Sequence, residues 1–531
     1  MRVRPKTLFT SLVGGIALVV VARGLWISGY EPVTSDNYLW GAFHVHSTMS
    51  DGLASLEEIA VQARDARVDV VLLSDHGPPH REAALLDETD EMIGGVRFIG
   101  GSEVRMPEGH LIVSGVDALP DYNLPPFPPD AVADVRTWGG FSVLTYPEDP
   151  THRWRYWGED FTPDGIEIIN VTSYFRASSY WDKLLWAIFS IFNRYYYVSG
   201  FESPAYALER WDELLTRGQV WAFYAANAHG GFPLTEELKL GVPSYRTALS
   251  YVGFGIDRKF EGQIERAIRD GQFFSIVRGA GEPSRFELVR DEDGQVRVSL
   301  EVDDAEELST RIVLKHDGLV AAETEENELF FQATTPGVYR VEVYLEDHAL
   351  LSSDVPWILS NPIFVNVEPP ESRLEGLECA DIDAVDLSAF HVENDDESSA
   401  SLELDPSGSL ELTYDLSKAT HDKVDRWVAL ALRQPIDLSR YRGIYIGGTG
   451  PRPMRYWIEV RAGDKGYYAT FKVDQESRAS AIPWSRFYPT VGERDSIPLA
   501  EIDAIFIAVN TSSSRTGFSS ELTLTEIGWC R

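Results

Sequence analysis

Apolar and polar positions along the chain follow one pattern between residues 37 and 283. Short apolar runs typical of buried strands alternate there with segments whose apolar residues recur every three or four positions, as in amphipathic helices. Strand candidates include YLWGAFHVH, VDVVLLSDH, VRFIGGSEV, HLIVSGV, GFSVLTYP, GIEIINVT and QVWAFYAANAH, and helix candidates include SLEEIAVQARDAR and PAYALERWDELLTR. About seven strand–helix repeats predict a parallel sheet that closes into an α/β barrel.

Two later regions have a different pattern. Residues 284–368 contain short alternating strands separated by turn residues, such as QVRVSLEVDD and GVYRVEVYLED, which predict a small β-sandwich. Residues 376–531 contain a second set, which includes RYWIEVRAG, GYYATFKV and AIFIAVNT. We therefore expect a multidomain protein in which two all-β sandwich domains follow the barrel.

The N-terminal segment, residues 1–30, has the pattern of an export signal. Three basic residues precede an uncharged stretch over residues 7–22, which is short for a membrane span but long enough for the core of a signal peptide. Arg23 could snorkel and let the helix continue, which would make the segment an uncleaved signal anchor. Both alternatives place the rest of the chain in the cell envelope, on the periplasmic or extracellular side.

A second apolar stretch interrupts the barrel pattern at residues 180–201, YWDKLLWAIFSIFNRYYYVSGF. Its apolar core is too short to span a bilayer. The flanking tryptophans and tyrosines suit a membrane interface. An insertion helix that packs on the barrel or on a second subunit is the alternative.

Charge and cysteine content narrow the function. The chain of 531 residues has 83 acidic and 47 basic residues and a formal net charge of -36, so we expect no nucleic acid polymer as a partner. The two cysteines, Cys379 and Cys530, lie at the two ends of the last predicted domain. In an exported protein this predicts a disulfide, with two buried thiols as the alternative.

Residues able to bind metal follow the predicted barrel strands. His44 and His46 are two positions apart at the end of the first strand and, in a regular strand, would face the same side. Other candidates stand at or near later strand ends, namely Asp51, Asp75, His76, Glu103, His110, Asn227 and His229. Imidazole and carboxylate groups suit zinc, iron or manganese.

The ordered motifs HVHSTMSDG, LLSDHG, GSEV, GHLIVSG and ANAHG, together with GIEIIN, resemble the polymerase and histidinol phosphatase (PHP) family over residues 37–283. The resemblance implies a distorted (β/α)7 barrel with two or three metal ions that hydrolyses mainly phosphoesters. The run GVYRVEVY…PWILSNPIFV resembles the small β domain that follows the barrel in some exported members. DLSRYRGIYI resembles a galactose-binding or carbohydrate-binding jelly roll.

The resemblance also implies a role for each candidate ligand. His44, His46 and Glu103 would hold one metal ion, and Glu103 would bridge to a second ion bound by His110. Asp51, His76 and His229 would hold a third ion. The implied catalytic residues are His44, His46, Glu103 and His229.

Two positions depart from the family pattern. Tyr146 stands where the family has histidine, and Asn227 stands where it has aspartate. Tyrosine binds metal only as a phenolate, with an ordinary pKa near 10, and asparagine offers a neutral oxygen. The second metal site is therefore the one whose ligands are weakened.

The resulting hypothesis is a metal-dependent hydrolase, in the first place a phosphoesterase, that uses a metal-activated hydroxide and one to three divalent ions. Arg105, Arg153, Arg155 and Tyr146 are the candidates for holding substrate, and Asp75 would orient His76. Lost ligands would be replaced from His80, Glu148, Asp149 and His152.

Two alternatives remain open. One is a catalytically reduced barrel that serves as a binding or scaffold protein of the envelope, and the other is a nuclease or nucleotide phosphatase. The expected partner is a phosphorylated small molecule or an envelope component. A glycan could stack on aromatic residues of the last domain, with Tyr456, Trp457, Tyr467 and Tyr468 as candidates.

Overall fold

The structure is a computed structural model. It describes residues 18, 20–77, 92–116, 120–233, 239–240, 243–303, 308–367, 377–416, 426–476, 478–492, 494–510 and 519–531. Within these residues the chain is multidomain and mostly β, with several helices in its first half.

Strands and helices alternate in the first region. Its strands are β1 (Tyr38–Val45), β2 (Val70–Leu73), β3 (Asp75–His76), β4 (Met92–Ile93), β5 (Val96–Ile99), β6 (Gly101–Met106), β7 (Gly109–Ser114), β8 (Phe141–Leu144), β9 (Gly165–Asn170), β10 (Trp221–Ala228), β11 (Phe232–Pro233), β12 (Lys239–Leu240), β13 (Gly253–Asp257) and β14 (Phe274–Ile276). Its helices are α1 (Leu56–Asp65), α2 (Pro128–Thr137), α3 (Val171–Ala177), α4 (Tyr180–Phe189), α5 (Ala205–Leu215), α6 (Tyr245–Ala248) and α7 (Ile264–Arg269). Short 3₁₀ helices lie at Arg194–Gly200, Arg258–Gln263 and Arg278–Ala280.

Local sequence explains where α1 begins and which face it buries. The Ser55 side chain accepts a hydrogen bond from the Glu58 amide, and the Glu58 carboxylate accepts one from the Ser55 amide. This capping box satisfies two amides that the first helical turn leaves free. Ile59 and Ala63, four positions apart, then face the core.

In the first region, the series of paired strands that begins at β1 also ends at β1. β1 pairs in parallel with β2 and β10, β2 with β5, and β3 with β6. β6 pairs with β7 and β7 with β8 in antiparallel fashion, while β8–β9 and β9–β10 are parallel. The ends of β1, β3 and β10 therefore lie at one end of the sheet.

The all-parallel α/β barrel predicted from the pattern is not confirmed by this topology. Only Pro107 and Glu108 separate β6 from β7, and a connection of that length permits only a hairpin. The resulting antiparallel pairs interrupt the expected parallel order.

The second region continues the same sheet. Its strands are β15 (Arg285–Arg290), β16 (Gln295–Glu301), β17 (Ser309–His316), β18 (Leu319–Thr324), β19 (Glu328–Gln332), β20 (Gly337–Glu346), β21 (Ile358–Ser360) and β22 (Ile363–Val365). β21 pairs with β14 of the first region, whereas β15, β16 and β19 form a separate sheet. Buried Arg340 bonds Asp212 of α5 at 2.7 and 2.8 Å, which adds a polar contact between the regions.

The last region is a β-sandwich. Its strands are β23 (Ile382–Ala384), β24 (His391–Asn394), β25 (Ser399–Leu404), β26 (Leu410–Asp415), β27 (Trp427–Ile436), β28 (Gly443–Thr449), β29 (Met454–Ala462), β30 (Lys465–Val473), β31 (Arg478–Pro483), β32 (Tyr488–Pro489), β33 (Ile502–Asn510) and β34 (Ser519–Cys530). They form two antiparallel sheets over a shared apolar core. Short 3₁₀ helices lie at Leu387–Ala389, Trp484–Arg486 and Leu499–Glu501.

The predicted disulfide is confirmed. Cys379 and Cys530 are bonded, with their Cα atoms 5.1 Å apart and a separation of 151 positions in sequence. β23 pairs with the end of β34 next to this bond. A disulfide at this position indicates an oxidising, exported environment.

Charged side chains connect the last region to the first. Arg455 forms a buried ion pair with Asp134 of α2, and Lys472 Nζ lies 3.4 Å from the same carboxylate. Arg494 bonds Glu108 at 2.7 Å, in the turn between β6 and β7. The last domain therefore contacts the hairpin whose two strands carry Glu103 and His110.

Most of the predicted signal segment, residues 1–17 and 19, lies outside the described residues. Residues 20–27 are helical. Among the residues that the structure describes, no helix is both long enough and apolar enough to cross a membrane.

Candidate metal centre

His44 and His46 meet at the end of β1, but simple strand alternation is not the reason. His44 has a left-handed backbone (φ 66°), and the register of β1 against β10 shifts between Phe43 and Val45. Such a bulge re-aims the side chains that follow it. His46 lies just beyond the strand, with its ring centroid 5.1 Å from that of His44.

Two overlapping groups of side chains could hold metal ions. Within each group the ligand atoms lie within 4.8 Å of one another. The first group is His46, Asp51, His76 and His229, and the second is His44, His46 and Glu103. His46 belongs to both groups, so the two positions are neighbours.

His46 has the features of a metal ligand. Its side chain is fully buried, and neither ring nitrogen has a hydrogen-bond partner. Burial and the imidazoles of His229 and His44 hold the pKa of His46 well below its usual range, so the ring is neutral. A neutral, unpartnered imidazole among carboxylates fits a divalent cation, which requires a free nitrogen lone pair.

Glu103 lies between the histidines. Its Oε2 atom is 3.2 Å from His44 Nε2, 3.4 Å from His46 Nε2 and 3.3 Å from His76 Nδ1. Its Oε1 atom accepts a hydrogen bond of 2.7 Å from His110. Burial alone would raise the pKa of Glu103, but His44 and His110 hold that pKa well below its usual range. The carboxylate can therefore bridge two neighbouring cations.

Asp51 belongs to the group that also contains His46, His76 and His229. Its Oδ1 atom lies 3.3 Å from His229 Nε2, 3.5 Å from His46 Nδ1 and 3.7 Å from His76 Nε2. These imidazoles outweigh burial and lower the pKa of Asp51. His229 donates its Nδ1 hydrogen to the Asn227 carbonyl at 3.1 Å, which leaves Nε2 free as an acceptor. His76 is half-exposed, so this side of the site opens to solvent.

Tyr146 and Asn227, the two residues that depart from the family pattern, contact each other. Asn227 donates a hydrogen bond of 3.1 Å to the Tyr146 hydroxyl, while its own Oδ1 atom is buried without a partner. Both residues have left-handed backbones, with φ of 57° for Tyr146 and 43° for Asn227. Non-glycine residues rarely adopt this conformation, which is concentrated at functional sites.

Tyr146 is a neutral phenol in this environment. Burial and the carboxylates of Glu103 and Glu167 hold the pKa of Tyr146 well above its ordinary value. Its hydroxyl lies 3.5 Å from His44 Nε2. His110 belongs to neither metal-capable group among the described residues and instead bonds Glu103.

Glu167 of β9 is a site residue that sequence reasoning missed. Its buried carboxylate accepts a short hydrogen bond from His44 Nδ1 and longer ones from the Tyr146 amide (3.1 Å) and Asn170 (2.9 Å). Burial opposes protonation, but Glu167 and Glu103 together raise the pKa of His44 to about 9. The available signal was a lone acid in the apolar strand GIEIIN, since acids are rarely buried without a partner.

The loop between His46 and Asp51 is held by two residues. Asp75 accepts hydrogen bonds of 2.8 Å from the Ser47 amide and hydroxyl and of 2.5 Å from the Ser50 hydroxyl. Asp75 was predicted to orient His76, but the contacts described for it are with this loop. Tyr245, a second missed residue, donates a hydrogen bond of 2.6 Å to the His46 carbonyl.

The predicted substrate arginines have other neighbours. Arg153 stacks on Tyr206 at 4.5 Å, and the backbone amide of Arg155 bonds the Glu108 carbonyl at 2.8 Å. Arg105 borders a cavity of about 120 Å³ between the hairpin and the last domain, where Trp457 is also found. Their roles in substrate binding stay predictions.

Arg176 of α3 is the arginine beside the centre. Its guanidinium lies 5.6 Å from the Tyr146 ring and 3.0 Å from Asp149. The ring of His152, a predicted replacement ligand, lies 5.1 Å from that of His110. Glu148 instead accepts a hydrogen bond of 2.6 Å from the Ala207 amide, in the first turn of α5. His80 lies outside the described residues.

Comparison with known proteins gives distant similarities. No family model matches the chain, and no curated protein matches it. A two-domain protein from Bacteroides vulgatus that contains a predicted PHP-like metal-dependent phosphoesterase is 16% identical, and the match covers 63% of this chain and 100% of that chain with a TM-score of 0.31. The family 11 carbohydrate-binding module of a Clostridium thermocellum cellulase is 14% identical, over 29% of this chain and 96% of that chain, with a TM-score of 0.23.

An exo-β-agarase is 13% identical, over 27% of this chain and 23% of its own, with a TM-score of 0.19. All three TM-scores are low. The functional proposal therefore rests on the side-chain geometry of the metal centre.

Proposed function

We propose that this protein is a metal-dependent hydrolase, and specifically a phosphoesterase, of the PHP type. The observation that carries the proposal is His46, a fully buried imidazole with two unpartnered nitrogens that is shared by two ligand groups. The order of the ligands along the chain and the return of the strand pairing to β1 support a distorted (β/α)7 barrel. The proposed domains are residues 37–283, 284–368 and 376–531.

The proposed cofactors are two divalent ions, with zinc, manganese or iron as candidates. As a neutral imidazole with one free lone pair, His46 would hold one of the two ions. Divalent cations in such a site polarise a phosphoryl oxygen and lower the pKa of a coordinated water. Glu103 would bridge the two positions, because its Oε2 atom faces three imidazoles. His110 and Asn227 are the candidates for extending the set to a third ion.

Residues next to the ligands would orient a ligand or bind the substrate. Glu167 keeps His44 oriented by accepting its Nδ1 hydrogen, so that Nε2 faces the centre. Arg176 lies where its guanidinium can bind anionic oxygens of a substrate, and planar guanidinium groups match phosphate geometry. Tyr146 keeps its proton, so its hydroxyl can donate a hydrogen bond to a substrate oxygen.

The proposed substrate is a phosphorylated small molecule or envelope component, and the proposed location is the exported face of the cell envelope, with a membrane anchor at the N-terminus. A second ligand, a glycan, is proposed for the last domain. Trp457 and Tyr468 support it, because their rings stack at 4.3 Å and both border the cavity next to Arg105. Tyr456 and Tyr467 are buried.

The test is metal content and turnover of the full chain purified without chelator. We expect two ions per chain by plasma mass spectrometry and hydrolysis of a phosphomonoester or phosphodiester. His229→Ala should lower both, whereas His391→Ala, an exposed histidine of the last domain, should lower neither. Two bound ions without turnover of any phosphoester would favour the scaffold alternative, and one ion or none would contradict the proposed two-ion centre.

A further inference from the structure

Helix α4 exposes an unusual run of large apolar side chains. Tyr180 is 90% exposed, Trp181 75% and Ile191, just beyond the helix, 82%. Leu184 and Leu185 are exposed on the same helix, while Trp186 and Phe189 face the core. An exposed patch of this kind on a soluble surface marks an interaction site.

The N-terminal helix, residues 20–27, adds a second exposed face. Leu25 is 64% exposed and Trp26 63%. The two helices are neighbours, because the Arg23 guanidinium lies 6.0 Å from the Phe189 ring. The Asn193 side-chain amide also donates hydrogen bonds of 2.8 Å to the Ile27 carbonyl and 2.6 Å to the Tyr30 carbonyl.

Charge around these faces differs from that of the whole protein. Arg23, Lys183 and Arg194 lie on or beside the two helices, together with two acidic residues, Glu31 and Asp182, the second of which forms a capping box with Ser179. The chain as a whole has a formal net charge of -36. An aromatic and apolar surface with a slight excess of basic residues, on an otherwise acidic protein, matches a lipid surface with anionic headgroups.

The sequence next to the patch indicates the same occupant. The uncharged stretch over residues 7–22 runs directly into the helix at residues 20–27 and follows three basic residues. A segment of this composition partitions into lipid. The patch therefore adjoins the part of the chain with the strongest tendency to enter a membrane.

We propose that α4, Ile191 and the helix at residues 20–27 form a docking surface for a lipid bilayer, in which Trp181 and Tyr180 lie at the level of the headgroups. The surface is close to the metal centre in the chain, since α3 and α4 follow β9 directly and Asn170 caps α3. Docking would hold the metal centre near membrane-borne substrates. The docking itself does not depend on whether the centre is catalytic.

The disulfide makes a clean test possible. Both native cysteines are bonded to each other, so a single added cysteine is the only site for a thiol-reactive spin label. The full chain is reconstituted into vesicles of phosphatidylcholine with phosphatidylglycerol, with the label at Tyr180→Cys or Leu185→Cys. Val491→Cys, an 89% exposed position of the last domain, is the matched control.

We expect labels on α4 to be more accessible to oxygen and less accessible to a nickel chelate than the control label. Trp181→Asp with Ile191→Asp should return the Leu185→Cys label to the accessibility of the control, and circular dichroism checks that the fold is kept. Equal accessibility of patch and control labels would overturn the proposal. Spin–spin broadening between patch labels with protection from both reagents would overturn it in favour of a second copy of the chain. Neither metal content nor turnover enters the readout, so the outcome is independent of the hydrolase proposal.

Discussion

Replacing His46 by leucine tests whether this residue is present for metal binding or for packing. His46 is fully buried and neither of its ring nitrogens has a hydrogen-bond partner. A neutral imidazole has one donor and one acceptor, so metal-free protein carries the desolvation cost of both. Leucine has a similar volume and carries no polar atom.

The magnitude follows from these contacts. A buried polar group left unsatisfied costs roughly 1–3 kcal/mol, which His46→Leu removes. The stacked contact between the His46 and His229 rings, with centroids 4.1 Å apart, is lost and opposes the gain by about 0.5–1.5 kcal/mol. Without metal, the free energy of unfolding should therefore change by between about -0.5 and about +2.5 kcal/mol, so His46→Leu should leave it nearly unchanged or raise it.

Metal should reverse the order of stability. An ion at about 100 times its Kd stabilises the native state by about 2.7 kcal/mol. The wild-type protein should gain about this amount for each ion that it binds, whereas His46→Leu loses the ligand that the two groups share and should gain less. The free energy of unfolding of the wild type should then exceed that of His46→Leu only when metal is present.

The assay is urea unfolding of the full chain, once with chelator and once with zinc. His391→Leu, at an exposed position of the last domain, is the control and should respond to zinc like the wild type. A His46→Leu protein that is strongly destabilised in chelator and gains as much from zinc as the wild type would refute the reasoning. His46 would then be a packing residue.

Three further outcomes are expected. Glu167→Gln should weaken metal binding by about 10–100-fold in calorimetric titration, because the carboxylate that orients His44 is replaced by a neutral, weaker acceptor, and an unchanged affinity would remove Glu167 from the centre. Burial would raise the pKa of Asp149, but the ion pair with Arg176 and several hydrogen bonds lower this pKa from 3.8 to about 2. About 2 kcal/mol of stability should therefore be present above pH 3.8 and lost as pH falls through about 2. Thermal unfolding of Asp149→Asn should lack this loss. Reduction of the Cys379–Cys530 bond, which spans 151 positions, should lower the unfolding free energy of the last domain by at most about 5 kcal/mol in urea, with the Cys379→Ser protein insensitive to reductant.

Several local features were predictable because they depend on neighbours in sequence. The apolar run YLWGAFHVH becomes β1 and GIEIIN becomes β9, since a continuous apolar segment of that length forms a buried strand. The disulfide was predictable from two cysteines that frame one domain. The candidate metal ligands were predictable because imidazole and carboxylate groups repeat at the ends of these strands.

Other features of the site depended on backbone detail. The hairpin between β6 and β7 replaced a crossover because its connection has only two residues, which the apolar pattern alone does not reveal. The convergence of His44 and His46 uses a bulge and a left-handed backbone rather than alternation. A register shift of this kind depends on the partner strand β10, which lies far away in sequence.

The sequence by itself determined the strands, their polar ends, the acidic surface and the chemical types of the candidate ligands, because each is a property of short segments or of composition. Only the tertiary structure decided that His46 is shared by two groups, that Glu167 supports His44, and that Arg176 lies beside Tyr146. These contacts join residues on different strands and helices. Their distances follow from strand register and helix packing, which no local pattern encodes.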